Sequence, residues 1–340
     1  MPAELRLEPT SFDALRGWRN DRVEDAWPAF LLSADAVARD APPLRPAVPP
    51  GAALRAAARA ALDGVAAQDA RRFFERRFAP HRIAADGFVT AYYEPSVDGA
   101  LEPSADFAAP VLARPRDLGS RPGPYPDRAA IRAGAIEGET RPIVWLRDAV
   151  ELFVVQVQGS ARIRLLDGRT LRLVYDGRNG RPYTSIGRVL IEAGAVAPDA
   201  MSLDVLKDWL RRHGAGRGGP ADAVMDRNES YVFFRAEEGD APGPTGGQGV
   251  PLTTLRSLAV DRAVWPYGLP VWVEAALPAP PGGGFAPFPR LMIAQDTGSA
   301  IVGAARADMY FGSGAEAGLW AGSVRHSASL TVFLPVETSA

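Results

Sequence analysis

The pattern of apolar and polar positions divides the chain near residue 87. Before it, apolar residues recur at helical spacing, and after it most apolar runs are short, rich in β-branched and aromatic residues, and bounded by Gly, Pro or Asp. The later runs predict strands at 88–93, 143–146, 152–157, 161–166, 170–175, 231–234, 271–273, 291–294 and 330–334. Between the fourth and fifth of these, Asp167-Gly168 is a strong hairpin turn signal.

Helices are predicted mainly before residue 87. Ser11 can cap a helix whose apolar stripe continues through Trp18 and Trp27. After a proline-rich break at 42–50, an Ala/Arg-rich amphipathic pattern predicts a helix over 51–78. Shorter helices are predicted at 185–193 and 202–213, each followed by glycine. The chain is therefore expected to be a mixed α+β protein, with β parts that resemble small barrels.

Composition fits a soluble protein of about two domains. The chain has 340 residues, 47% hydrophobic and 23% charged, with a net charge of −2, so nothing indicates a nucleic-acid partner. It contains no cysteine, which excludes disulfides, thiolate metal sites and a cysteine nucleophile. The histidines, at 81, 213 and 326, lack metal-ligand spacing. The first thirty residues contain no apolar export segment, and no run reaches transmembrane length.

Two aspartates near the end of the chain are the leading candidates for chemistry. Asp296 and Asp308 are twelve positions apart on short segments punctuated by glycine, and Asp296 follows an apolar run. Carboxylates beside glycines, which allow a bulky ligand to approach the backbone, are typical of sugar-cleaving sites. The alternative is a pair of aspartate turns that cap strands.

Three further clusters have a composition suited to sugar. Residues 90–95 combine Thr90, Tyr92, Tyr93 and Glu94, although a strand could pack its tyrosines inward. In the predicted strand at 152–157 and just beyond it, Gln156 and Gln158 would share one face, either on a ligand or in solvent. Residues 175–187 place two turns and many side-chain donors before a helix N-terminus.

Taken in order, these clusters resemble the membrane-bound lytic murein transglycosylase A family. The similarity runs from about residue 87 to 334, and only the N-terminal helices are generic. Ser299 and Ala91 stand where the family usually or commonly has glycine. The resembling segments are 91–95, 157–160, 175–180, 185–191, 228–234, 250–252, 296–301, 307–312 and 316–318.

The resemblance implies a two-domain architecture. A double-psi β-barrel domain with the N-terminal helices would comprise residues 1–104 and 236–340, and a smaller β-barrel domain for substrate binding would occupy 105–235. A glycan strand would lie in the cleft between them. It also implies a periplasmic monomer whose partner is peptidoglycan, with outer-membrane attachment only through a lipid anchor that is absent from these 340 residues.

For the site, the resemblance implies that Asp308 is the catalytic acid and that no metal or cofactor is needed. One carboxyl would cleave the β-1,4 bond between N-acetylmuramic acid and N-acetylglucosamine and form a 1,6-anhydro product. Asp296 would orient sugar, stabilise positive charge or hold a turn. The other expected substrate contacts are Thr90, Tyr92, Tyr93, Glu94, Gln158, Gly159, Ser160, Tyr175 and Asn179. The alternatives are an inverting hydrolase with Asp308 as acid and Asp296 as base, and a non-catalytic peptidoglycan-binding scaffold.

Overall fold

The computed structural model describes residues 5–238, 243–279 and 284–336. Its strands are β1 (Leu7–Pro9), β2 (Phe78–Ile83), β3 (Gly87–Glu94), β4 (Ser96–Ala100), β5 (Ala109–Leu112), β6 (Pro142–Leu146), β7 (Ser160–Leu165), β8 (Thr170–Arg178), β9 (Val232–Glu238), β10 (Ser257–Val260), β11 (Pro270–Pro278), β12 (Phe285–Asp296), β13 (Arg306–Ser313) and β14 (Arg325–Pro335). Its α-helices are α1 (Trp27–Ala38), α2 (Ala52–Leu62), α3 (Ala70–Arg77), α4 (Arg128–Arg132), α5 (Ala149–Gln158), α6 (Ile186–Glu192), α7 (Leu203–Arg212), α8 (Pro220–Asp226) and α9 (Ala315–Gly322).

The chain forms two compact units. The first comprises Met1–Tyr93, Ala241–Gly312 and Ser323–Ala340, and the second comprises Glu94–Asp240 and Ser313–Gly322. The second unit thus begins at Glu94, whereas the sequence analysis set the boundary after residue 104, and it also recruits α9 from the C-terminal part. The mixed α+β class predicted from the sequence is confirmed by these elements.

The first unit is built on one sheet that closes on itself. Its strand order is β1-β2-β14-β11-β12-β10-β13-β3, and β14 also pairs with β3. Six strands, from β14 round to β3, therefore form a closed ring, which leaves no edge between them. Aromatic side chains of the N-terminal segment pack beside this sheet, among them Trp18, whose ring lies 5.3 Å from that of Trp272.

The N-terminal segment differs from its predicted helix. Instead of one helix from Ser11, the chain makes short 3₁₀ turns at Phe12–Ala14, Trp18–Asn20 and Val23–Ala26 before α1. Gly17 interrupts the pattern with φ +84°, and Asp21 leaves it to bind the buried Arg256 guanidinium through two bonds of 2.8 and 3.0 Å. Tertiary pairing thus overrides the local helical pattern.

The second unit is built on a sheet of order β5-β6-β4-β7-β8-β9. Asp167-Gly168 makes the predicted hairpin turn between β7 and β8, with Gly168 at φ +87°. An isolated bridge from Ala113 to Phe234 links the two edges of the sheet. Its apolar core includes Val111, Ile163 and Phe234, all fully buried.

One predicted strand of the second unit is wrong. Residues 152–157 lie in helix α5, because Asp148 caps its N-terminus by accepting from the Glu151 backbone N–H at 2.8 Å, and Gly159 ends it with φ +82°. These two capping signals outweigh the β propensity of the Val- and Phe-rich run. Gln156 and Gln158 are therefore two positions apart on a helix and face different directions.

Candidate active site

The two aspartates lie on the same face of the first unit's sheet. Ala259 of the central strand β10 is in register with Asp296 of β12 on one side and with Asp308 of β13 on the other. Side chains in register on neighbouring strands share a face, and two strand spacings separate these two by roughly 9.5 Å between Cα atoms. Asp296 and Asp308, twelve residues apart in the sequence, are thus close together in the folded chain.

Asp308 is held by a chain of hydrogen bonds that ends in a cation. The Thr90 hydroxyl of β3 donates to Asp308 Oδ1 at 2.5 Å, and Arg306 Nη2 donates to Thr90 Oγ1 at 2.7 Å. Arg306 precedes Asp308 by two positions on β13, so the alternation of the strand puts both side chains on one face. This arrangement fixes one oxygen of the carboxyl, while the side chain as a whole remains partly exposed.

Burial is the main influence on the protonation of Asp308. It raises the pKa of the carboxyl above its ordinary value, and the nearby Asp296 adds to the rise. The positive charge of Arg306 and the hydrogen bond from Thr90 act against it, because both favour the carboxylate. A carboxyl whose pKa is raised in this way holds its proton to higher pH, which suits a general acid.

Asp296 has a different environment, in which its oxygens are occupied. Oδ1 accepts from the backbone N–H groups of Gly247 at 2.7 Å and Thr297 at 2.8 Å, and Oδ2 accepts from the Tyr92 hydroxyl at 2.8 Å. A Cβ at position 247 would lie 2.6 Å from the Tyr267 hydroxyl oxygen, so a larger residue would force Tyr267 to shift. Three donors thus occupy three of the roughly four acceptor positions of the carboxylate, and one position on Oδ2 remains.

Tyr92 contacts residues of both strands that carry the two aspartates. Its ring lies 5.4 Å from that of Tyr310 on β13, and its hydroxyl reaches Asp296 on β12. Burial first, and then the charges of Asp296 and Asp308, raise the pKa of Tyr92 well above its usual range. Tyr92 therefore stays a neutral hydrogen-bond donor at any physiological pH.

The structure brings together four of the residues predicted for the site: Thr90, Tyr92, Asp296 and Asp308. Tyr93, next to Tyr92 on β3, points to the opposite face and is 6% exposed. Strand alternation within 90–95 already contained this information.

Glu94 lies in the second unit and is fully buried. Arg172 Nε donates to it at 2.7 Å, Arg162 Nε at 2.9 Å and the Ser313 hydroxyl at 2.7 Å. These partners hold Glu94 in the fold, which argues for a structural role rather than the substrate contact expected from the sequence.

Asn179 is also committed to the second unit. Its amide nitrogen donates to the carbonyls of Pro126 at 3.0 Å and Glu229 at 2.8 Å, and its amide oxygen accepts from the backbone N–H groups of Tyr231 and Arg181. All four hydrogen-bonding positions of the amide are thereby used, so none is left for a sugar.

The remaining predicted contacts lie in the second unit as well. Gln158 ends α5, Gly159 is its left-handed cap, and Ser160 begins β7 with 9% exposure. Tyr175 lies on β8 beside a bulge, is partly exposed, and is opposite Phe234. Their roles stay predictions.

Three residues that shape the site were not predicted from the sequence. Arg306 anchors Thr90, Gly247 binds Asp296, and Asp261 fixes the loop before β13 through its carboxylate, which accepts from the Gly303 N–H at 2.7 Å. Asp261 directly follows the apolar strand β10, much as Asp296 closes β12, and that placement was the available signal, whereas Arg306 opens β13. Among the described residues, no group of three or more His, Asp or Glu could hold a metal ion.

Comparison with known proteins agrees with this picture. The model of the MltA specific insert domain matches residues 88–235, and that of the 3D domain matches residues 256–334. The crystal structure of a membrane-bound lytic murein transglycosylase from Agrobacterium tumefaciens is 36% identical, with a TM-score of 0.84 and 97% of each chain covered. The chain belongs to the membrane-bound lytic murein transglycosylase A family.

Two other relatives bear on the site. The membrane-bound lytic murein transglycosylase A of Vibrio cholerae is 34% identical over 240 residues, which cover 70% of this chain and 62% of that relative's own length. The crystal structure of Escherichia coli MltA with bound chitohexaose is 27% identical, with a TM-score of 0.66, covering 84% of this chain and 83% of that one. In the part of the chain that the structure describes, no helix is long and apolar enough to cross a membrane.

Proposed function

We propose that this protein is a lytic transglycosylase that cleaves the β-1,4 bond between N-acetylmuramic acid and N-acetylglucosamine in peptidoglycan and forms 1,6-anhydro-muramyl ends. The observation that carries the proposal is Asp308 itself: a partly exposed carboxyl whose pKa is raised by burial and whose position is fixed by Thr90 and Arg306. Family membership and the oligosaccharide bound by the Escherichia coli relative support the substrate class.

In this mechanism Asp308 acts twice. The protonated carboxyl gives its proton to the glycosidic oxygen, the bond from that oxygen to C1 breaks, and an oxocarbenium-like centre forms at C1. The C6 hydroxyl of the same muramic residue then attacks C1 and returns its proton to the Asp308 carboxylate. Because the nucleophile is part of the substrate, its effective concentration is high and no catalytic water is needed.

Thr90 suits both halves of this cycle. Its hydroxyl donates to Asp308 Oδ1 both when the carboxyl is ionised and when the carboxyl carries its proton on Oδ2, while Arg306 remains bound to Thr90. The fixed hydrogen bond keeps the second carboxyl oxygen available for the substrate. Asp296 positions Tyr92 by accepting from its hydroxyl at 2.8 Å.

The alternative of an inverting hydrolase is less consistent with the site. It requires a second carboxylate that removes a proton from water, and three hydrogen bonds to Asp296 leave only one acceptor position, on Oδ2, for that water. We further propose that the closed ring of the first unit is the double-psi β-barrel of the family, that the second unit contributes to glycan binding, and that the protein acts in the periplasm as a monomer without a cofactor.

The products of digestion test the function. Purified peptidoglycan sacculi are incubated with the protein, and the soluble fragments are analysed by mass spectrometry. The proposal predicts muropeptides with anhydro ends, which are lighter by one water than the corresponding reducing ends. Reducing ends alone would identify a hydrolase, and binding to sacculi with no soluble product would identify a scaffold.

A further inference from the structure

The face that carries Asp308 extends beyond it along strands β3 and β13. Side chains of the two strands contact each other in three successive pairs, which we call levels. The pairs, given as β3 residue and β13 residue, are Phe88 with Arg306, Thr90 with Asp308, and Tyr92 with Tyr310. Strand alternation puts each strand's three side chains on one face. Phe88, at the first of these levels, has no role in the mechanism above.

Phe88 is an exposed aromatic residue at that level. Its side chain is 40% exposed, although it lies in a strand whose neighbouring residues Gly87 and Val89 are buried. The guanidinium carbon of Arg306 lies 5.5 Å from the ring centroid, so the ring is positioned by the same arginine that positions Thr90. Strand alternation puts the ring on the same face of β3 as Thr90, whose hydroxyl bonds Asp308.

We propose that Phe88 is a stacking platform for the sugar next to the one that reacts. This inference deepens the proposed function and rests on it. Phe88 precedes Thr90 by two strand positions, which corresponds to roughly 6.6 Å along the sheet. That offset is comparable with the advance of one sugar unit along an extended β-1,4-linked glycan. A sugar at this distance from the reacting one would cover the open surface of the ring.

The chemistry of the platform suits a pyranose ring. The apolar C–H face of a β-linked sugar packs on an aromatic face, and the ring quadrupole favours the weakly positive C–H groups. The Arg306 guanidinium, which lies over the Phe88 ring, can donate to a sugar hydroxyl or acetamido oxygen without leaving Thr90, because it has five N–H donors. Phe88 thus provides binding that is the same in the ground state and the transition state.

Steady-state kinetics with soluble, peptide-free glycan strands tests this role. Phe88→Ala is expected to raise KM and to lower kcat/KM about 5- to 30-fold, which is ~1–2 kcal/mol, with kcat nearly unchanged. Phe88→Tyr and Phe88→Trp should stay near the wild-type values because they keep a ring, whereas Phe88→Leu should behave like the alanine variant. Loss of kcat at constant KM would show instead that Phe88 acts on Asp308 through Arg306, and would overturn the platform.

A matched control is available in Phe285, which is 68% exposed at the start of β12. The Phe285 ring contacts His326, which is in register with Val89 of β3. Val89 and Phe88 are adjacent in the strand and point to opposite faces, so His326 lies on the face that does not carry Phe88. Phe285→Ala should therefore leave KM unchanged. If it raises KM as much as Phe88→Ala does, exposed aromatic residues act non-specifically and the inference is wrong.

A direct binding measurement separates this inference from the proposed function. The fluorescence of Phe88→Trp, compared with that of the wild type, should change saturably when chitohexaose is added, because a sugar covers the new indole. This readout needs no cleavage. A saturable change without anhydro products would refute the proposed activity and keep the platform, whereas anhydro products from the wild type without a change at position 88 would refute the platform alone.

Discussion

Glu94 provides a sharp test of how the second unit is held together. Its carboxylate is fully buried and accepts from Arg172, whose side chain is only 4% exposed, and from Arg162. Glu94→Gln keeps the shape of the side chain and removes the charge. It removes the carboxylate that Arg172 meets at 2.7 Å, and losing one partner of a buried ion pair costs about 3–5 kcal/mol. For a unit of this size, that corresponds to a fall in Tm of about 6–20 °C.

The assay is calorimetric unfolding of the wild type and the variant, with Glu237→Gln as the control. Glu237 pairs with Arg235 at 2.6 Å, but both side chains are about two-fifths exposed (43% and 38%), so its loss should cost at most about 1 kcal/mol. The double variant Glu94→Gln/Arg172→Gln should recover part of the loss because it removes the buried cation as well. A destabilisation below about 1 kcal/mol, together with a raised KM for glycan, would refute the structural role and return Glu94 to the substrate site.

Three further predictions concern the two aspartates and Thr90. Asp308→Asn should raise the Tm at neutral pH, because burial raises the pKa of Asp308 and the stability that this group contributes falls as pH rises through that pKa. Calorimetry should show that the gain vanishes below about pH 4, where the wild-type carboxyl is protonated in both the folded and the unfolded state. A variant less stable than the wild type at neutral pH would contradict this prediction. Thr90→Val removes a hydrogen bond to the Asp308 carboxylate and should lower kcat about 10- to 100-fold. Because the carboxylate loses a donor, the pKa of Asp308 should rise and the alkaline limb of the pH–rate profile should move to higher pH. An unshifted limb would exclude the contact. Asp296→Asn should cost less than about 10-fold in kcat if Asp296 positions Tyr92, whereas a loss of about 100-fold or more would favour a general base.

The fold could be predicted where local signals agreed with the tertiary structure. Asp167-Gly168 specified a hairpin, and the strand runs around 291–294 and 330–334 lie in β12 and β14 as expected. The strand predicted at residues 152–157 was wrong because their β-branched composition was considered without the helix caps at Asp148 and Gly159. The 3₁₀ segment before α1 could not be predicted, since it follows from the buried pairing of Asp21 with Arg256, which is far away in sequence.

The site, too, could be predicted from the sequence only in part. Asp296 and Asp308 could be found from the sequence because each stands on a strand-like segment punctuated by glycine. Their common face depends on the register of both with Ala259, which no local pattern reveals. Arg306 and Gly247 act through contacts with Thr90 and Asp296 that exist only in the folded chain.

The most direct test of the account compares the products of wild type and Asp308→Asn on purified sacculi by mass spectrometry, with folding of the variant verified by its Tm. We predict that the wild type releases muropeptides with 1,6-anhydro ends and that Asp308→Asn, although folded, releases them about 10²- to 10⁴-fold more slowly. Anhydro products at an unchanged rate from Asp308→Asn would contradict the central claim that this single carboxyl serves as both acid and base.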